Sequence, residues 1–222
     1  MAPRTLSPAA SLDSIWSELA YTGARLAANP DAADFTAIIE PLLRENEQTQ
    51  AGQRGTWQDE LVAQARCNNL SDAIGDLVRE IGDTLVFVVK DRQSPRVTRY
   101  LRQAPHATAR LALEAKLKLV RNWPGSLTTE PEESLRVLGA RLAESLERTD
   151  GARAALSTAK GERANFRLRV ITPLVERVNA ERLRLYGLLV GRAIERKLGK
   201  RWPDRFFVTK RNADRKASGD EG

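Results

Sequence analysis

Between Val170 and Phe207 the chain reads VITPLVERVNAERLRLYGLLVGRAIERKLGKRWPDRFF. Its large apolar residues return every three or four positions, which gathers them on one face of an α-helix. Gly199 stops that helix, Pro203 follows, and Phe206 and Phe207 close the stretch with an apolar anchor. An earlier stretch repeats the plan. Leu70, Ile74, Leu77, Ile81, Leu85 and Val88 again mark one helical face, and the segment Asp91–Pro95 breaks it.

The two stretches align without gaps when the chain is shifted by 100 residues. Leu70 meets Val170, Ile74 meets Leu174, Val78 meets Val178, Leu85 meets Leu185 and Val88 meets Leu188. Each is preceded by a polar, glycine-containing middle and followed by a proline break and a short basic, aromatic turn. The expected fold is therefore all-α: an antiparallel helical bundle with two long helices, kinked at Pro41 and Pro173, related by a pseudo-twofold internal duplication. Repeat 1 spans 31–103, a crossover helix spans 106–122, and repeat 2 spans 129–207. Together they form one domain from 11 to 207. Neither apolar face is buried by its own half, so packing the halves together satisfies both.

The remaining segments fit around that plan. Residues 1–10 hold Pro3 and Pro8 among small residues and read as a flexible N-terminus. Ser11 or Asp13 caps a first helix running to about Ala28, expected on the outside of the bundle or in self-association. A helix from His106 to Asn122 ends at Trp123-Pro124-Gly125, and Thr129 caps the next one. The polar middles, 46–56 and 148–163, read either as loops or as continuous helix, with helix favoured by their Ala, Arg and Glu content.

Composition bounds the function. Of 222 residues, 41% are hydrophobic and 29% charged, the balance of a folded chain. The single cysteine, Cys67, permits no internal disulfide and reads as a buried thiol compatible with a reducing cytoplasm. The N-terminus has no signal-like apolar region, and no run is long enough to span a membrane. His106 is the single histidine, so a di-iron site with two Glu-x-x-His motifs has no ligands here. Neither a phosphate-binding P-loop nor a dinucleotide fingerprint is present. The acidic pairs Glu45/Glu47 and Glu132/Glu133 read as solvated surface. No catalytic residue, metal or cofactor is expected.

Charge supplies the one informative feature. The chain carries a net charge of +7. Between Arg192 and Lys216 stand Arg192, Arg196, Lys197, Lys200, Arg201, Arg205, Lys210, Arg211, Arg215 and Lys216, against three acids. Trp202 interleaves with them, and residues 208–222 read as a disordered basic and polar tail. Such a segment suits phosphate contacts with base stacking. It equally suits an aromatic core cap whose cations face the negative end of the last helix. The expectation is a non-enzymatic interaction or scaffold protein of a bacterial cytoplasm that binds a protein partner or itself. The alternative is sequence-tolerant nucleic-acid binding through the basic segment, strengthened if Arg96, Arg99 and Arg102 adjoin it.

Overall fold

The computed structural model describes residues 3–101 and 104–208. All regular structure among them is helical, with no strand. Helix α1 spans Leu12–Ala27, α2 Thr36–Val89, α3 Pro95–Thr98, α4 Pro105–Ala109, α5 Leu113–Val120, α6 Trp123–Leu127, α7 Glu133–Phe166 and α8 Thr172–Glu195. A 3-10 turn at Ala33–Phe35 leads into α2, and another at Pro203–Phe206 follows α8.

Several local choices explain these bounds. Ser11 caps α1 by accepting from the Ser14 N–H, and Ser94 caps α3 ahead of Pro95. Both polar middles are helix: α2 and α7 run through them unbroken. Pro41 lies in the second turn of α2. Before Pro173 the chain widens into a π-turn, Arg167–Ile171, which accommodates the missing proline N–H and the bulk of its ring.

The expected helix from His106 to Asn122 is instead two short helices, α4 and α5, with α6 following them. Pro124 does not end a helix; it sits in the first turn of α6, where its fixed φ is preorganised and its missing N–H costs nothing. Nor does Thr129 cap α7. Its hydroxyl donates to the Ser126 carbonyl, and α7 begins at Glu133.

The chain divides into two compact units, one made of residues up to Thr56 and from Glu162 onward, the other of Trp57–Gly161. These bounds cross the expected repeats, because α2 and α7 each contribute to both units. In unit 1 the core gathers Leu12, Ile15, Leu19 and Leu26 of α1, Ile39 and Leu42 of α2, and Leu174, Val178, Leu185 and Leu189 of α8. Trp202, Phe206 and Phe207 complete it. Helix α1 thus buries one face in this core and leaves the other, with Trp16, exposed. Each fully buried Ile or Leu there contributes about 2–3 kcal/mol of apolar burial.

The N-terminus is pinned as well. Leu6 is buried, its N–H donates to Asn179 Oδ1 at 2.8 Å, and Asn179 Nδ2 donates to its carbonyl at 3.0 Å. One amide side chain satisfies both backbone groups of that residue, which holds an otherwise irregular segment against α8.

In unit 2, Ile74, Val78, Ile81 and Leu85 of α2 pack with Leu117 and Val120 of α5, Trp123 and Leu127 of α6, and Leu135, Leu138, Leu142 and Leu146 of α7. Tyr100 meets Trp123 edge to face at 5.8 Å. Two glycines permit close approach: a Cβ on Gly82 would lie 2.5 Å from the Pro105 ring, and one on Gly139 would lie 2.7 Å from Leu127 Cβ.

The burial pattern recurs at the same 100-residue offset. Ile39, Leu42, Asn46 and Thr49 are buried in α2, as are Gly139, Leu142, Leu146 and Thr149 in α7. Ile74, Gly75, Val78, Gly82 and Leu85 are buried, as are Leu174, Val175, Val178, Arg182 and Leu185. Between these runs the match lapses: Ala63 and Cys67 are buried, whereas Arg163 and Arg167 are not.

Candidate interaction site

Two surfaces of unit 1 stand out, both built on α8. The first is its outward face. Ala180, Leu183, Gly187, Gly191 and Ile194 are exposed, and Val190 beside them is half-buried. Steps of three and four residues put them on one stripe, opposite the buried stripe of Val178, Leu185 and Leu189. Leu183 is 60% exposed and Ile194 74%. A Cβ added at Gly187 or Gly191 would meet nothing within 4 Å. These stripe positions carry no charge over four turns, where an ordinary amphipathic helix places its charged residues; Arg184, exposed and paired with Glu181, flanks the stripe.

The second surface is the cationic end of that helix. Arg196 follows the last helical turn, and Lys197 takes a left-handed conformation at φ 54° that turns the chain. Arg196, Lys197, Lys200, Arg201 and Arg205 are all exposed. Arg25, from the last turn of α1, joins them: its Nε donates to the Arg205 carbonyl at 3.1 Å. The rim therefore draws on two segments far apart in sequence.

The other residues singled out in this segment have different places. Arg192 is fixed within the unit, bonded to Asp34 at 2.8 Å and to the Asp31 carbonyl at 2.9 Å, with its guanidinium 4.7 Å from the Phe35 ring centre. That hydrogen bond holds the Asp34 carboxyl below its ordinary range. Trp202 is buried against Phe206, with ring centres 4.8 Å apart, so its ring caps the core and is closed to base stacking. Lys210, Arg211, Arg215, Lys216 and Arg102 lie outside the described residues. Arg96 and Arg99 belong to unit 2, where Arg96 pairs with Glu130 and Glu132 and Arg99 donates to Ser126.

Charges inside each unit serve the packing. In unit 1, Arg182 is buried and bonds Glu18 at 2.8 Å and the Arg4 carbonyl at 3.1 Å. Burial raises the Glu18 carboxyl above its ordinary value, and the charge of Arg182 only partly offsets this. In unit 2, the Lys116 amine donates to the Ser71 carbonyl at 2.6 Å and its hydroxyl at 3.0 Å, and burial lowers its pKa.

Unit 2 also holds a cleft of about 700 Å³, lined by Arg99, Tyr100, Lys118, Asn122 and Trp123 among others. The Tyr100 hydroxyl donates to Glu130 at 2.8 Å, and burial pushes its pKa to about 12, so it stays protonated at neutral pH. His106 is exposed and Cys67 buried. Among the described residues, no group of three or more His, Cys, Asp or Glu is placed to hold a metal.

No family model, no curated protein and no solved structure matches this chain.

Proposed function

We propose that this chain is a non-enzymatic interaction or scaffold protein of the bacterial cytoplasm, and that it docks a protein partner on the outward face of α8. The observation that carries this reading is the uncharged stripe Ala180–Ile194, with Leu183 and Ile194 standing in solvent beside two open glycines. Exposed apolar residues scattered singly need no explanation, but a continuous stripe of them marks a contact surface. The repeated burial pattern supports a duplicated bundle with pseudo-twofold symmetry as the scaffold. Such a duplication frees one copy of a surface to diverge.

A photo-crosslinking amino acid placed at Leu183 tests this in the native cell, with Asp83 as the reference position. The expected result is a discrete adduct from position 183 above the background at 83. Equal labelling at the two positions rejects the reading.

A second reading rests on the cationic rim: phosphate-backbone binding that tolerates any sequence. The placement of Arg25 beside Arg205 favours it. Anisotropy of labelled duplex DNA across a salt series tests it. Changing Arg196, Lys197, Lys200 and Arg201 to Gln is expected to flatten the log–log salt slope by about 3.6, at roughly 0.9 for each of four phosphates no longer neutralised. An unchanged slope excludes the rim.

A further inference from the structure

We infer that the partner docked on α8 is a second copy of the same chain, its α8 running antiparallel to the first. This rests on the reading of that face as a docking surface and names its occupant.

The stripe is self-complementary. Reversing the helix about the point between Leu188 and Leu189 sets Leu183 opposite Ile194 and Gly187 opposite Val190. Large residues at the ends then cover one another, and small ones at the centre let the backbones approach. The two open glycines have a role in this arrangement. Each costs about 1 kcal/mol of helix stability relative to Ala. Nothing within the chain needs the space they leave.

Charge sets the direction. Glu176 lies exposed on the same face, one turn before Ala180, while Lys197, Lys200 and Arg201 lie exposed just past Ile194. An antiparallel second copy brings each acidic start beside a cationic end. A parallel copy sets the two cationic ends together, and they repel. Antiparallel pairing about a twofold axis also closes, so association stops at the dimer. Any other protein on this face must present a similar apolar stripe with an acidic start and a basic end, which this chain already carries. One helix face is smaller than the roughly 800 Å² per partner of a standard interface, so the dimer is reversible.

Sedimentation equilibrium on the full chain, up to about 1 mM, is the first measurement. The expected result is a monomer–dimer equilibrium whose dissociation constant rises tenfold or more on Leu183→Lys, roughly the effect of removing a central interface side chain. Leu183 is solvent-exposed in the monomer, so unchanged thermal unfolding of the variant checks that folding is intact. Orientation is read by disulfide trapping in a Cys67→Ala background. Chains carrying Leu183→Cys mixed with chains carrying Ile194→Cys are expected to cross-link faster than either alone. A wild-type chain that stays monomeric overturns the inference. So does a dimer indifferent to Leu183→Lys, or equal cross-linking by Leu183→Cys alone. If the chain is monomeric in solution yet position 183 captures a different protein in the cell, this inference fails and the docking face stands. If position 183 captures nothing, both fail.

Discussion

The outward faces of α2 and α8, offset by 100 residues in sequence, carry different chemistry. On α2 the exposed positions are Glu80, Asp83 and Phe87, followed by Lys90 and Asp91 just past its end, and Glu80 pairs with Arg141 at 3.0 Å. On α8 the same positions are Ala180, Leu183, Gly187, Val190 and Gly191. The α2 face is what solvent selects: mostly charged, with one exposed aromatic. On α8 none of these positions is charged; Glu176 precedes them on the same face and Arg184 flanks them. The two stretches share buried positions at 74 and 174, 78 and 178, and 85 and 185, whereas Leu77 and Ile81 are buried and Arg177 and Glu181 are not. A partner docked on α8, as proposed, would account for the uncharged stripe.

The two cores differ too, and the largest expected effects come from there. Arg182 in unit 1 and Gly82 in unit 2, 100 residues apart in sequence, are both buried. Removing it by Arg182→Ala strands Glu18 in a half-buried site, with an expected loss of about 3–5 kcal/mol in urea unfolding. Gly82→Ala pushes a Cβ into the Pro105 ring, with an expected cost of about 1–3 kcal/mol. If both were neutral, the two cores would not be packed as described.

Gly187→Ala and Gly191→Ala should act with opposite signs on two properties. Each is expected to raise monomer stability by about 1 kcal/mol, because an open helical glycine gains propensity without a clash. Each is also expected to weaken self-association, because the added methyl holds the helices apart. A gain in both would remove the reason for retaining the glycines.

The smallest effects are in the pH dependence, and they differ in sign between the units. Burial raises Glu18 in unit 1, so above its ordinary value of 4.5 the folded state holds more protons than the unfolded one. Its contribution is present below that value and is lost as pH rises through the folded pKa. Burial lowers Lys116 in unit 2, so its contribution is present above its ordinary 10.5 and is lost as pH falls through the folded pKa. Melting temperature across pH is expected to show a shallow acid-side decline that Glu18→Gln flattens. On the alkaline side it is expected to show a rise that Lys116→Ile flattens.

Much of this was legible in the sequence. Periodicity marked α1, α2 and α8 and their buried faces, and Ser11 and Ser94 announced two starts. Periodicity says which face is buried but not against what. Hence the packing of α1 against α8, and the sharing of α2 and α7 between two units, went unseen. Pro124 read as a stop because proline near glycine serves equally as a start. In the basic segment, Arg192 and Arg196 look alike one turn apart. Only the fold ties one to Asp34 and leaves the other exposed. Arg25 could not be joined to the rim without the fold. The outward stripe was within reach: Ala180, Leu183, Gly187, Gly191 and Ile194 hold helical spacing of their own. That second stripe was absorbed into the general hydrophobicity of the helix.

The most direct measurement gives α8 the charges of α2. Ala180→Glu with Leu183→Asp copies Glu80 and Asp83 onto the docking face at two exposed positions, where substitution alters folding stability by no more than about 0.5 kcal/mol each. Sedimentation equilibrium of this variant beside the wild type is expected to give a monomer against a concentration-dependent dimer, with the same unfolding curve for both. A variant that associates as strongly as the wild type would contradict the claim that the uncharged face of α8 is where this protein meets its partner.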